Sequence, residues 1–395
     1  MRTRSHLHWK VITKGGESML EDWQLEQLKV LELERGAIGK VATYLQEQGY
    51  RRTVLVADEN TYRAAGEQLA GLLEADGLAA KLCLIQPDGQ GDVVADEISL
   101  VQLLLEISPE DTDALIAVGS GTIHDIVRFA AHKTGKPFVS VPTAPSVDGF
   151  TSAGAPLIIR GVKKTVPAVP PAAIFADLDI LTAAPQRLVA AGFGDMLGKY
   201  TSLFDWKFSR LTAGEPYDEQ AAAITGRALR SCVEHAADIG ARTEEGIRAL
   251  MTALIESGIA MLLFGQSHPA SGAEHHLSHY WEMEYLRLGR RALLHGAKVG
   301  VACAEIARVY HAAGEGTYPG AEPEALRMHA GQVREWLRDL PGEAQIRGLL
   351  RQAGGPASLA ELGVGEELFA RSLREAHRVR DRHTLLRALN EAGQD

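Results

Sequence analysis

The period of the hydrophobic pattern changes once along the 395-residue chain, and that change limits what it can fold into. Between about residues 50 and 180, short apolar runs rich in β-branched residues alternate with longer segments of helical spacing. Residues 53–58 (TVLVAD), 79–85, 114–118 and 138–141 read as strands, and 64–74, 97–107 and 123–132 as helices. Continuous apolar strands separated by helices require right-handed crossovers and a mostly parallel sheet. Residues 157–159 and 172–176 read as two more strands around a turn-rich segment, 160–171, which holds Lys163, Lys164 and three prolines. Beyond about residue 185 strand signals nearly vanish. Helical spacing covers 188–208, 219–239, 243–264, 274–288, 296–310, 322–340, 344–353 and 366–390. The expected fold is an α/β, Rossmann-like N-terminal domain over 1–183 and an all-α domain over 184–395.

Composition narrows the function. A net charge of −10 argues against general nucleic-acid binding, which needs a basic surface, but leaves room for a local basic pocket. Cys83, Cys232 and Cys303 are far apart and form no CxxC pair, which suits buried thiols in a reducing compartment. The N-terminus lacks the apolar core of a signal peptide, and no stretch of about 18 uninterrupted apolar residues suggests a membrane span. A cytoplasmic protein with no membrane partner is expected.

Two constellations carry chemistry. The strand 114–118 runs into Gly119-Ser120-Gly121-Thr122 and then into a helix bearing His124 and Asp125. Glycines at a strand–helix junction let backbone amides reach a pyrophosphate, helped by the helix dipole. Alone, this turn reads equally well as a purely structural one. Asp58 closes an earlier strand, where a carboxylate can accept from an adenosine ribose; a surface turn is the alternative. The loop 142–149 (PTAPSVDG) follows the strand 138–141 and presents Thr143, Ser146 and Asp148 where open α/β sheets bind ligands, although ordinary loop chemistry explains it too.

The second constellation lies in the helical half. Asp195 follows Gly192-Phe193-Gly194, the run GAEHHLSH places His275 and His279 four apart on one helix face, and His295 stands between two leucines and a glycine. One carboxylate and two imidazoles make a divalent site with positions open to substrate. Each item alone also has a plain structural reading.

In this order, GSGTIHD, VPTAPSVDG, GFGD, GAEHHLSH and LLHG closely resemble the sn-glycerol-1-phosphate dehydrogenases, in their bacterial branch. These belong with the glycerol dehydrogenases, iron-containing alcohol dehydrogenases and dehydroquinate synthase. The resemblance spans roughly residues 35–310. It implies that Gly119, Gly121, Thr122, Ile123, His124 and Asp125 line the dinucleotide phosphates, with Asp58 at the adenosine end. Thr143, Ala144, Pro145, Ser146 and Ser152 then contact the cofactor. Asp148 lies beside the substrate, Asp195, His275 and His295 hold the metal, and His279 reaches the substrate. His275 is taken over His276 because the family pattern places the ligand directly after Glu274. Ser120 departs from the family's third consecutive glycine, and the chain after about residue 320 matches nothing in the pattern.

The implied activity is reversible reduction of dihydroxyacetone phosphate to sn-glycerol 1-phosphate with NAD(H) or NADP(H) and one zinc, nickel or iron ion, in a homodimer. Lys163 and Lys164 are candidates for the substrate phosphate, with a solvated basic turn as the alternative. A glycerol dehydrogenase is the competing reading. A dehydroquinate synthase-like lyase or an inactive metal- or nucleotide-binding regulator stands further off.

Overall fold

Strands β3 (Val30–Glu34), β4 (Arg52–Ala57), β5 (Ala79–Leu84), β6 (Ala114–Gly119), β7 (Phe138–Pro142) and β10 (Ala173–Asp177) form one sheet, in the order β3-β10-β7-β6-β4-β5. Every pairing in it is parallel. The computed structural model describes residues 9–13, 16–20 and 28–392. The central strands β6, β7 and β10 are buried along their whole length, as continuous apolar runs require. Successive side chains point to opposite faces. Leu55, Ile116, Val118 and Val139 therefore pack against Val41, Leu45, Leu69 and Leu73, while Val54, Val56, Leu115 and Ala117 pack against Leu103, Ile123, Ile126 and Val127.

The sequence reading misses β3, an edge strand whose glutamates, Glu32 and Glu34, interrupt the apolar run. A second correction concerns 160–171. Strands β8 (Gly154–Ile159) and β9 (Val162–Pro167) form their own two-stranded sheet. Arg160 and Gly161, with φ of 51° and 74°, make the two-residue connection between them. Strands β1 (Trp9–Thr13) and β2 (Gly16–Leu20) form an antiparallel pair.

The chain divides into two compact units. The first comprises Met1–Ala144, Phe150–Arg160 and Lys164–Ala184; the second comprises Pro145–Gly149, Gly161–Lys163 and Pro185–Asp395. From residue 185 to 392 the second unit contains helices and no strand. Its main helices are Gln186–Leu197, Lys199–Ala213, Glu219–Glu234, Glu244–Phe264, Ala273–Arg287 and His295–Gly314. Thr243 caps the fourth of these by accepting from the Gly246 N–H at 3.1 Å. That helix, Glu244–Phe264, has the length and the mean hydropathy (1.7) to cross a bilayer. Here it buries Ile247, Leu250, Met251 and Leu254 and packs against Glu219–Glu234.

Four expected helices are broken: 188–208 is interrupted at Gly198 and 219–239 at His235. The one at 322–340 is interrupted at His329. The one at 366–390 stops after Arg378 and resumes only at Leu385, where Thr384 caps the last helix. The irregular stretch between carries Arg380 and Arg382. All three cysteines are buried and free.

Candidate functional site

Three glycines bring the candidate ligands together. A Cβ on Gly192 would stand 1.9 Å from the Pro145 carbonyl oxygen, and one on Gly194 would stand 2.4 Å from that of Gly296. One on Gly296 would stand 1.8 Å from the Ala191 carbonyl oxygen and 3.1 Å from Asp195 Cβ. Helices Gln186–Leu197 and His295–Gly314 thus touch backbone to backbone, which no side chain at these positions would permit. Asp195 and His295 face one another across that contact, and His275 approaches from the first turn of Ala273–Arg287. The Nε2 atoms of His275 and His295 lie 3.7 and 3.9 Å from Asp195 Oδ1. One ligand atom from each of the three lies within 4.8 Å of the others.

The donor set fits a divalent cation. His275 Nδ1 lies 2.7 Å from Glu274 Oε1, which directs Nε2 toward Asp195. Glu274 is itself fixed by Thr201 Oγ1, donating at 2.6 Å, and by the Gly272 N–H at 2.7 Å. Burial first, then the Lys199 charge, holds the pKa of His275 well below the ordinary histidine value. Burial, then His275, does the same for His295. Neutral imidazoles are the form that binds a metal. His276 is also buried, but it is not part of this group, and neither of its ring nitrogens has a hydrogen-bond partner among the described residues.

Lys199, one helical turn after Asp195 and fully buried, joins two carboxylates. Its Nζ lies 2.7 Å from Asp148 Oδ2 and 3.3 Å from Asp195 Oδ1, and it also donates to the Ala270 carbonyl at 3.1 Å. Burial alone would lower its pKa; Asp148 and Asp195 outweigh that and hold it above the usual lysine value. Asp148 donates its backbone N–H to Asp195 Oδ2 at 3.0 Å and accepts from Ser257 Oγ at 2.9 Å. It is therefore tied directly to the candidate ligand.

His279 shares the helix face of His275, with ring centroids 6.3 Å apart, and its ring lies 6.0 Å from that of His295. Burial, then Lys163 and Arg380, keeps its pKa well below the ordinary value. Lys163 contacts both oxygens of Glu282, at 3.0 and 2.8 Å, and buried Lys298 contacts one of them at 2.7 Å. Lys164 is exposed.

In the first unit, Ser120 is the N-cap of the Gly121–Thr134 helix and makes no side-chain capping bond, so the amides of the first turn have no side-chain acceptor there. A Cβ on Gly119 would lie 2.7 Å from Ile123 Cβ, so glycine is required where this strand meets its helix. The Thr143 N–H donates to the Gly119 carbonyl at 3.0 Å, joining the two loops. The side chain of His124 is buried, with Nδ1 2.9 Å from the Ser120 carbonyl and Nε2 2.7 Å from Ser140 Oγ. It braces the turn from behind. Asp125 pairs with Arg128 at 2.8 Å, Ser152 Oγ donates to the Gly154 carbonyl at 3.3 Å, and Asp58 caps Glu59–Thr61 through the Thr61 N–H at 2.9 Å. In the second unit, Pro145 packs on Gly192 and Ser146 is buried; Ala144 is buried in the first.

Sequence reasoning misses Lys199, Lys298, Glu282 and Arg380, and assigns Glu274 no role. Lys199 alone carried a signal, because the step of four from Asp195 puts both on one helix face.

Residues 32–185 match the iron-containing alcohol dehydrogenase family. The sequence is 50% identical to the glycerol-1-phosphate dehydrogenase (NAD(P)+) of Geobacillus stearothermophilus, over 94% of this chain and 93% of that one. It is 48% identical to the Bacillus subtilis enzyme of the same name, over 93% of each chain. To the one from Methanosarcina barkeri it is 31% identical, over 88% of this chain and 86% of that one. Among solved structures, glycerol dehydrogenase from Schizosaccharomyces pombe superposes with a TM-score of 0.67 at 18% identity, over 92% of this chain and 85% of that one, a likeness of fold.

Proposed function

Because this chain belongs to the glycerol-1-phosphate dehydrogenase family, we propose that it catalyses the reversible NAD(P)-linked reduction of dihydroxyacetone phosphate to sn-glycerol 1-phosphate. The observation that carries the reading is the grouping of Asp195, His275 and His295 beside His279. When bound, a divalent ion (zinc, nickel or iron) supplies Lewis acidity at the C2 carbonyl, and the reduced nicotinamide supplies the hydride.

The protein's own groups do the rest. Asp195, His275 and His295 are the ion's ligands, and Glu274 and Lys199 hold two of them in place. Asp148 has Oδ2 engaged by Lys199 and Ser257, which leaves Oδ1 to accept from a substrate hydroxyl. His279, kept neutral by burial, would donate a hydrogen bond to the C2 oxygen through its ring N–H, and would relay a proton there only by taking one from solvent at its other ring nitrogen. Amides of Gly121, Thr122 and Ile123, at the end of a strand that stops at Gly119, receive the cofactor's pyrophosphate. His124 and Asp125 shape that turn rather than reach the phosphates with their side chains. Asp58 takes the adenosine ribose, and Thr143, Ala144, Pro145, Ser146 and Ser152 contact the rest of the cofactor. We take the enzyme as a cytoplasmic homodimer.

Elemental analysis of the purified protein, alongside NADH and NADPH oxidation with dihydroxyacetone phosphate, tests the reading. A stoichiometric divalent metal and ketone-dependent oxidation are expected. Full activity after metal removal would overturn the assigned mechanism. Faster turnover of glycerol than of glycerol 1-phosphate would transfer the chain to the unphosphorylated substrate.

A further inference from the structure

Five cations bear on His279 or on the ligand histidines beside it, and they are not equivalent: Lys199 is paired with Asp148 and Asp195, and Arg382 acts on His275. Lys163 and Lys298 share the Glu282 carboxylate, whose pKa they hold below the ordinary value against the effect of its burial. Their charge is already partly neutralised. Arg380 is placed differently. Its Nη1 donates to Ser271 Oγ at 3.0 Å and to Ser267 Oγ at 3.2 Å, and no carboxylate lies within ion-pair distance of it among the described residues.

Position adds to this. Ser271 is buried and precedes Gly272, whose N–H holds Glu274, so Arg380 is fastened to the loop that starts the His275 helix. The Arg380 charge is felt at His275, His276 and His279. Two residues on, Arg382 is buried, with Nη2 donating to the His268 carbonyl at 3.0 Å while Nε and Nη1 have no hydrogen-bond partner among the described residues. Held by two neutral hydroxyls, the Arg380 guanidinium has no ion-pair partner among the described residues; burial and then Arg382 lower its pKa, and the Glu274 charge opposes them from beyond ion-pair distance. The guanidinium's planar fork matches two oxygens of a phosphate.

We propose that Arg380, positioned by Ser267 and Ser271, recognises the phosphate of the substrate. The irregular stretch after Arg378, and not the basic strand β9, then supplies the preference for a phosphorylated ketone. This rests on the phosphorylated-substrate reading above. An unphosphorylated ketone leaves the cation without its anion, so the same residue selects for one substrate and against the other.

The test compares wild type with R380Q and R380K, as metal-loaded full-length proteins. The readouts are kcat/KM for dihydroxyacetone phosphate and for dihydroxyacetone, and the inhibition constant of inorganic phosphate. In R380Q the preference for the phosphorylated ketone is expected to fall about 100-fold, the scale of removing one partner of a charged pair, and inhibition by phosphate to weaken with it. R380K, which keeps the charge without the fork, recovers part of the loss. Metal content and NADH binding on the same samples report the fold, and R380K carries the test if R380Q does not fold. A wild type with no preference for the phosphorylated ketone would refute the function reading. A strong wild-type preference that survives in R380Q and R380K would refute the role of Arg380 alone.

Discussion

Glu274 and His275 are neighbours in sequence and partners in space: Glu274 Oε1 takes the Nδ1 side of His275 at 2.7 Å, so the other ring nitrogen is the one turned to Asp195. Such a carboxylate sets both the tautomer and the angle of the ring, and losing one typically costs 10–100-fold in metal affinity. Glu274→Gln is expected to weaken metal binding by about that factor while Thr201 and Gly272 still hold the side chain. Competition with a chromophoric chelator measures it. Unchanged affinity would mean that the ring is held by packing alone.

Gly296 offers an independent handle on the same centre. In Gly296→Ala the added methyl meets the Ala191 carbonyl at 1.8 Å, so helix His295–Gly314 must move away from the Asp195 helix. Overpacking of this kind costs about 1–3 kcal/mol, and here it also separates His295 from Asp195. A lower melting temperature together with lower metal occupancy is expected. Loss of stability with full occupancy would show that the crossing can relax without opening the ligand set.

Much of this arrangement is legible in the sequence because glycines and histidines are conspicuous. GFGD and LLHG mark the places where two helices must touch, and the touching places Asp195 beside His295. Parallel strands β4, β6, β7 and β10 are legible as unbroken apolar runs. What escapes is whatever depends on pairing across the chain. Glu32 and Glu34 disguise β3, because an edge strand tolerates charge on its open side. The apolar spacing over 366–390 continues through the break at 379–384, so Arg380 looks like a residue on a solvated helix face. Lys199 resembles any helical lysine until its two carboxylates are seen.

The buried His124 predicts a pH dependence of stability in the first unit. Burial lowers its pKa from about 6.5 to about 3, and the Ser120 carbonyl and Ser140 hydroxyl are matched to the neutral ring. Because the folded value is depressed, the unfolded chain takes up the proton first. Stability is then fully present above about pH 6.5 and falls toward pH 3, with a limiting slope of about 1.4 kcal/mol per pH unit. Urea midpoints of wild type and His124→Gln between pH 4 and 8 isolate this contribution, since other groups cancel in the difference. Parallel curves would show that the ring does not titrate as its surroundings require.

Lys199 gives the sharpest test of how the centre is balanced. Lys199→Met leaves Asp148 and Asp195 buried, still joined by the Asp148 N–H, with their shared ammonium gone. Removing one partner of a buried ion pair costs about 3–5 kcal/mol, because the remaining charge is left uncompensated. That loss is expected in the metal-free protein. A divalent cation at Asp195 restores positive charge at the same carboxylate, so adding metal should raise the melting temperature of the variant more than that of wild type. Thermal unfolding with and without chelator measures both. An equal shift in the two proteins would mean that Lys199 acts only through packing and through its bond to the Ala270 carbonyl.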